Sequence, residues 1–208
     1  MPPTRTTSTS AAAASTEMYT KDDCVFFWRT SHANGWASQW YPAPFTARLQ
    51  LAENGQEEGD KGEMVQFPTA EHWMMAQKAI LFNDRAIARQ VLGIKGTSRS
   101  EMQHVKALGR KVKRFDEKVW VRERERIVLE GSLLKFRQNA ELKEKLLGTG
   151  EKMIAEASPR DKIWGIGMGE AKAVSKGGRK WGLNLLGKAL VETRRMLRDE
   201  PEAVDEAA

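Results

Sequence analysis

The sequence predicts an α-rich α+β fold: a single multihelical domain with a small N-terminal antiparallel β element. Three observations carry this. The chain has 208 residues, enough for one well-buried core. Strand-like apolar patterns are confined to the first third. Beyond Phe67 the chain reads as a succession of helices with recognisable start and stop residues.

The β element comes first. Cys24 to Trp28 is a short apolar run that suits a buried strand. Phe45, Ala47, Leu49 and Leu51 alternate with Thr46, Arg48 and Gln50, the period of a half-buried strand. Glu53 to Glu63 is polar and Gly-rich, a hairpin-like excursion, after which Met64 to Phe67 returns as a further strand.

Thr69 is placed to cap a helix over Ala70 to Phe82, and Arg85 to Leu92 is a second helix stopped by Gly93. Ser98 and Glu101 have capping-box spacing and open a third, running to about Leu108 and closed by Gly109. Asp116 begins the longest helix, which ends near Lys135 or Gln138 and sets Val119, Trp120, Ile127, Leu133 and Leu134 among exposed charges. Glu141 to Leu147 forms another, ended by Gly148. Asn184 starts the last, with Leu186, Leu190, Thr193 and Leu197 on one face. Between Pro159 and Trp181 no period emerges. This stretch, with Gly165, Gly167, Gly169, Gly177 and Gly178, reads as one long Gly-rich loop of the kind that carries function.

Residues 1–21 are expected to form a disordered tail, 22–198 the domain, and 199–208 a disordered acidic tail. A transit peptide is the alternative for the N-terminal stretch, but such peptides are Arg-rich and only Arg5 precedes Glu17. With the −5 of residues 199–208 set aside, the formal charge of +6 becomes +11 over 21–198, which favours an anionic partner such as a phosphate, a nucleotide or nucleic acid. No apolar run approaches a membrane span, so a soluble, intracellular protein is expected, cytoplasmic or nuclear. The lone cysteine, Cys24, excludes an internal disulfide and reads as a core residue. His32, His72 and His104 are scattered, and neither a metal site nor a cofactor is expected.

Two clusters are candidates for chemistry. Glu71 falls in the first turn of its helix, where the helix dipole favours an ionised carboxylate. Acidic residues are routine there, but Glu71 sits among Trp40, Tyr41, His72 and Trp73, unusual company for a surface charge. Lys78, seven residues on, shares its face and either neutralises it, binds a phosphate or points to water. The second cluster is Asp161 to Gly167. Gly165 and Gly167 let the backbone approach a ligand, and Trp164 offers a flat face to a base. The spacing Gly165-Ile-Gly-Met-Gly169 is superficially dinucleotide-like but lacks the strand and helix that such a loop joins. Asp161 equally suits an ordinary turn. Trp120 reads locally as core, whereas Trp28, Trp36, Trp40 and Trp181 lie nearer loops and suit stacking on a base. Arg110, Lys111, Lys113 and Arg114 form a basic cluster, solvated by default or in contact with phosphate.

These pieces fall in the order of a known family. Ser38-Gln39-Trp40-Tyr41-Pro42-Ala43-Pro44-Phe45 resembles the "FSNWYPAPF" segment of the NADAR, or YbiA-like, family, and Pro68 to Met74 with Gln77-Lys78-Ala79 resembles its acidic helix. Leu108-Gly109-Arg110, Trp120 and Lys135 to Asn139 match further blocks. So do Leu147 to Gly150, Glu156-Ala157-Ser158-Pro159, Asp161 to Gly167, and Gly182 to Lys188. The series is collinear from about Phe26 to Leu197. Gln39 replaces the usual Asn and Trp73 the usual Tyr, and the segments Glu53 to Glu63 and Gly169 to Lys180 are longer than in compact bacterial members.

The resemblance implies an N-glycosidase that breaks the C–N bond between a (phospho)ribose or ADP-ribose and a base. The substrate is either a ribosylamino intermediate of riboflavin synthesis or ADP-ribosylated guanine in nucleic acid. A non-catalytic module that binds ADP-ribose or NAD is the alternative, and a plain nucleic-acid binder a third. The resemblance places catalysis on Glu71 and Asp161. It places ligand binding on Trp40, His72, Lys78, Arg110, Trp120, Asn139, Trp164, Gly165, Gly167, Asn184 and Lys188.

Overall fold

The computed structural model describes residues 19–51, 62–176 and 179–201. The excursion expected over Glu53 to Glu63 falls almost wholly outside these residues, as do Gly177, Gly178 and most of both expected tails.

The elements run β1 (Cys24–Phe27), β2 (Phe45–Leu49), β3 (Glu63–Phe67), α1 (Ala70–Leu81), α2 (Arg85–Gly93), α3 (Arg99–Arg110), α4 (Glu117–Arg137), α5 (Ala140–Leu147), β4 (Met153–Glu156), α6 (Glu170–Ser175) and α7 (Leu185–Asp199). The α-rich α+β class is as expected from the sequence. α1 is the hub, because its alternatives for burial are few: Glu71, His72, Trp73, Met74 and Met75 are all buried, and the helix packs against α2, α3 and α4. Trp73 anchors the centre. Its ring meets Phe45 and Phe67, and its indole N–H donates to the Ile127 carbonyl of α4 at 2.9 Å, satisfying the polar end of a fully buried side chain.

The N-terminal third differs from the single antiparallel element expected. β2 and β3 pair antiparallel, with Phe45 opposite Phe67. β1 instead pairs in parallel with β4, Cys24 opposite Met153 and Phe27 opposite Glu156. β4 has only four residues, too few to show a period, and its partner lies beyond five helices of sequence, so no local signal marks the pair. The Gly-rich stretch likewise contains a short helix, α6, whose Ala173 closes a second small core with Cys24, Phe26, Ala155, Ile166 and Met168.

Helix boundaries follow the caps. Thr69, Asp84, Ser98 and Asp116 accept backbone N–H groups at the starts of α1 to α4, and Ser98 with Glu101 completes the capping box. Gly109 does not close α3, which continues to Arg110. That glycine serves packing instead: a Cβ there would stand 1.9 Å from the sulfur of Met75.

Candidate active site

A cavity of about 670 Å³ opens between α1, α3 and two irregular segments. Helical spacing explains who reaches it. Glu71, Met74, Met75 and Lys78 form one face of α1, and Arg99, Met102, Lys106, Gly109 and Arg110 one face of α3. Trp28 to Ser31 enter after β1, Ser38 to Trp40 from the loop before β2, and Trp120 from α4. Glu156, Ser158, Asp161, Ile163 and Trp164 complete the far wall at and after β4.

Glu71 lies at the bottom, 3% exposed. Its amide donates to the Gln39 carbonyl at 3.0 Å, which ties the start of α1 to the loop carrying Trp40. One carboxyl oxygen, Oε1, is buried with no hydrogen-bond partner among the described residues. Burial therefore holds this carboxyl above the ordinary carboxylate range. Lys106, a side-chain hydrogen bond from Trp40 and Arg110 pull the other way, while Asp161 reinforces the rise. The helix dipole at its position had suggested a plainly ionised group; the loss of water outweighs it.

Glu156 faces the same cavity from the end of β4. Burial pushes its carboxyl up to about 7, with Asp161 and Glu71 adding to the rise and Lys106 opposing it. Its Oε2 is also buried, with no hydrogen-bond partner among the described residues. Asp161, at the cavity edge, uses Oδ1 to accept from the amides of Ile163 and Trp164 at 2.9 and 2.8 Å, and so shapes the turn that presents Trp164. Lys78 packs its ammonium over the rings of Phe115 and Trp120 at 4.3 and 5.2 Å, and burial lowers its pKa. Arg29 lies over Trp28 at 4.6 Å.

The structure thus brings Glu71, Asp161, Trp40, Lys78, Arg110, Trp120 and Trp164 to one cavity. Trp28, read from the sequence as suited to stacking on a base, lines it too, whereas the other residues assigned to ligand binding do not. His72 points into the core, where Nδ1 shares a 2.9 Å hydrogen bond with Thr69 Oγ1 and burial lowers its pKa to about 4. The Asn139 amide donates to the carbonyls of Pro44 and Lys135, bracing β2 against α4. Gly165 backs onto the Glu156 carbonyl, 2.6 Å from where its own Cβ would stand, and Gly167, at φ +72°, is backed by the Lys162 side chain. Asn184 caps α7 in a left-handed conformation and straddles β4, donating to the Ile154 carbonyl at 2.9 Å and accepting from the Glu156 amide at 3.1 Å. Lys188 is exposed on α7. These residues support the site from behind or lie away from it.

Four charged cavity residues escaped the reading of the sequence: Glu156, Lys106, Arg99 and Arg29. Lys106 and Arg99 were legible in principle, since both share the face of α3 that bears Arg110. Glu156 had no such signal beyond its place in a motif.

Comparison with known proteins agrees with this architecture. The model of the NADAR domain matches residues 26–198. N-glycosidase R617 of Acanthamoeba polyphaga mimivirus is 42% identical over 158 residues, covering 76% of this chain and 84% of that protein. N-glycosidase Npun_R5314 of Nostoc punctiforme is 33% identical over 131 residues, 63% of this chain and 74% of that protein. The NMR structure of Escherichia coli YbiA superimposes with a TM-score of 0.61 at 25% identity, covering 88% of this chain and 89% of YbiA. With a matching domain model over most of its length and relatives this similar, the chain belongs to the NADAR domain family.

Proposed function

We propose that this protein is an N-glycosidase that hydrolyses the C–N bond between a phosphorylated ribose and a base. The observation that carries the reading is the unpartnered Glu71 Oε1 at the bottom of a cavity rimmed by Arg29, Lys78, Arg99, Lys106 and Arg110. The relatives named N-glycosidases support it.

Breaking such a bond develops positive charge on the anomeric carbon and ring oxygen and negative charge on the departing base. A carboxylate held in a low-dielectric pocket stabilises the sugar cation far better than one in water. Glu71 takes that role and receives a proton from the attacking water. Asp161 holds a ribose hydroxyl. Trp40 and Trp164 flank the base, and the cations along α1 and α3 hold phosphate. The candidate substrates are a ribosylaminopyrimidine 5′-phosphate and ADP-ribosylated guanine.

Side-by-side incubation with those two substrates tests the reading, with release of ribose 5-phosphate or ADP-ribose as the readout. Glu71→Gln is expected to lower kcat by about 10²–10⁴ on the substrate the wild type accepts. Tight binding of ADP-ribose by titration, with no product from either substrate, would show a binding module instead.

A further inference from the structure

Glu156 is a second carboxyl in the cavity, and its surroundings differ from those of Glu71 in one respect. Glu71 has a hydrogen bond from Trp40 and the opposing charges of Lys106 and Arg110 to favour its anion. Glu156 faces Lys106 as its one opposing cation, with Glu71 and Asp161 both acting against ionisation. Its buried Oε2 has no donor among the described residues. Glu156 is thus a buried carboxyl in the cavity wall with an oxygen that no protein donor among the described residues engages.

The backbone that carries it is fixed from several sides. The Glu156 amide donates to Asn184, its carbonyl accepts from Ile166 at 2.9 Å, and the next amide, Ala157, donates to Phe27 at 2.7 Å. A side chain aimed at a cavity from so constrained a strand end is preorganised rather than incidental.

We infer that Glu156 is the proton donor to the departing base, acting from the end of β4 while Glu71 acts from the first turn of α1. The inference rests on the N-glycosidase reading. As the C–N bond breaks, its electron pair goes to the base nitrogen, which takes the Glu156 carboxyl proton, so that the base departs neutral. The water oxygen then bonds to the anomeric carbon and its proton passes to Glu71. Transfer of that proton from Glu71 to Glu156, its neighbour in the cavity, restores the starting state.

The test is the dependence of Glu156→Gln on the leaving group. Two probes are used: a ribosylaminopyrimidine 5′-phosphate, whose base needs a proton to leave, and 4-nitrophenyl ribofuranoside 5-phosphate, whose nitrophenolate does not. E156Q is expected to lose about 10²–10⁴ in kcat on the first probe while keeping close to wild-type turnover on the second. Equal losses on both, or none on either, would overturn the donor role. If the wild type accepts only ADP-ribosylated guanine, E156Q is read on that substrate, where an unchanged kcat overturns the donor role; wild-type protein that hydrolyses none of the three overturns the N-glycosidase reading itself, and the donor role with it. Should E156Q not fold, the wild-type pH profile decides. Turnover of the first probe falls above about pH 7 with that of the second flat if Glu156 is the donor; identical profiles refute it.

Discussion

Lys135, deep in α4, donates a 2.7 Å hydrogen bond to the carbonyl of Trp36, a residue 99 positions earlier in the chain. The same ammonium reaches the Ser38 carbonyl at 3.0 Å, so one buried side chain holds the loop that delivers Gln39 and Trp40 to Glu71. Burial lowers the Lys135 pKa to about 7. A lysine depressed in the folded state contributes stability at high pH that is lost as pH falls from the unfolded value towards 7. Lys135→Met leaves both carbonyls without their donor, and at pH 10 it should cost roughly 1–3 kcal/mol. The gap between wild type and K135M should narrow towards pH 7. Urea unfolding at both pH values measures it, and a gap independent of pH would mean that the amine stays charged throughout.

Glu71 gives the opposite sign. Its carboxyl is raised by burial, so its contribution to stability is present below the ordinary glutamate pKa and is lost as pH rises. Glu71→Gln removes a charge that has no partner on Oε1. The variant should be more stable than wild type at pH 8, by about 1–3 kcal/mol, with the difference closing towards pH 5. Thermal melts across that range read it directly. A variant that melts below wild type at pH 8 would show that Glu71 holds the fold together, contrary to its placement as a buried acid with an unpartnered oxygen among the described residues.

His72 provides the acid limb. Buried beside Thr69 and lowered to about 4, it must remain neutral for the fold to stand. Its contribution is present above pH 6.5 and drains away as pH falls through the folded value, by roughly 3 kcal/mol at most. Glu71 and Glu156 titrate with the opposite slope nearby, so the effect is read as the difference between wild type and His72→Gln. Wild type should lose stability relative to H72Q between pH 6.5 and 4, and parallel curves would exclude His72 as the acid-sensitive group.

How much of this was legible in the sequence depended on whether the cause was local. The caps at Thr69, Ser98 and Asp116 lie within three residues of the amides they satisfy, and those helix starts were readable. Glu71 stood out because His72 and Trp73 adjoin it in sequence. Glu156 did not, because what buries and fixes it is Asn184, 28 residues later, and a parallel strand 129 positions earlier at Phe27. Lys135 was read only as the start of a family block near the end of its helix; its partners Trp36 and Ser38 lie nearly a hundred residues away. His72, Asn139 and Asn184 were marked for ligand binding by their motifs, yet each is occupied in holding the backbone behind the cavity. A motif records that a residue matters and leaves open whether it faces substrate or scaffold.

Gly165 tests that scaffold. A methyl group added there would stand 2.6 Å from the Glu156 carbonyl, 3.1 Å from the Asp161 carbonyl and 3.3 Å from the Ser158 side chain. Two of those three are backbone atoms, which cannot swing aside as a flexible side chain would. Gly165→Ala should therefore cost about 1–3 kcal/mol of stability through overpacking. The atoms that give way belong to the residues bearing the Glu156 and Asp161 carboxyls, so kcat should fall together with the melting temperature. Gly93→Ala is the control: nothing lies within 4 Å of its added carbon at the end of α2, and alanine favours a helix, so that variant should melt at or slightly above wild type with unchanged kcat. If G165A matches G93A in both measurements, close packing of the loop against β4 does not position the carboxyls.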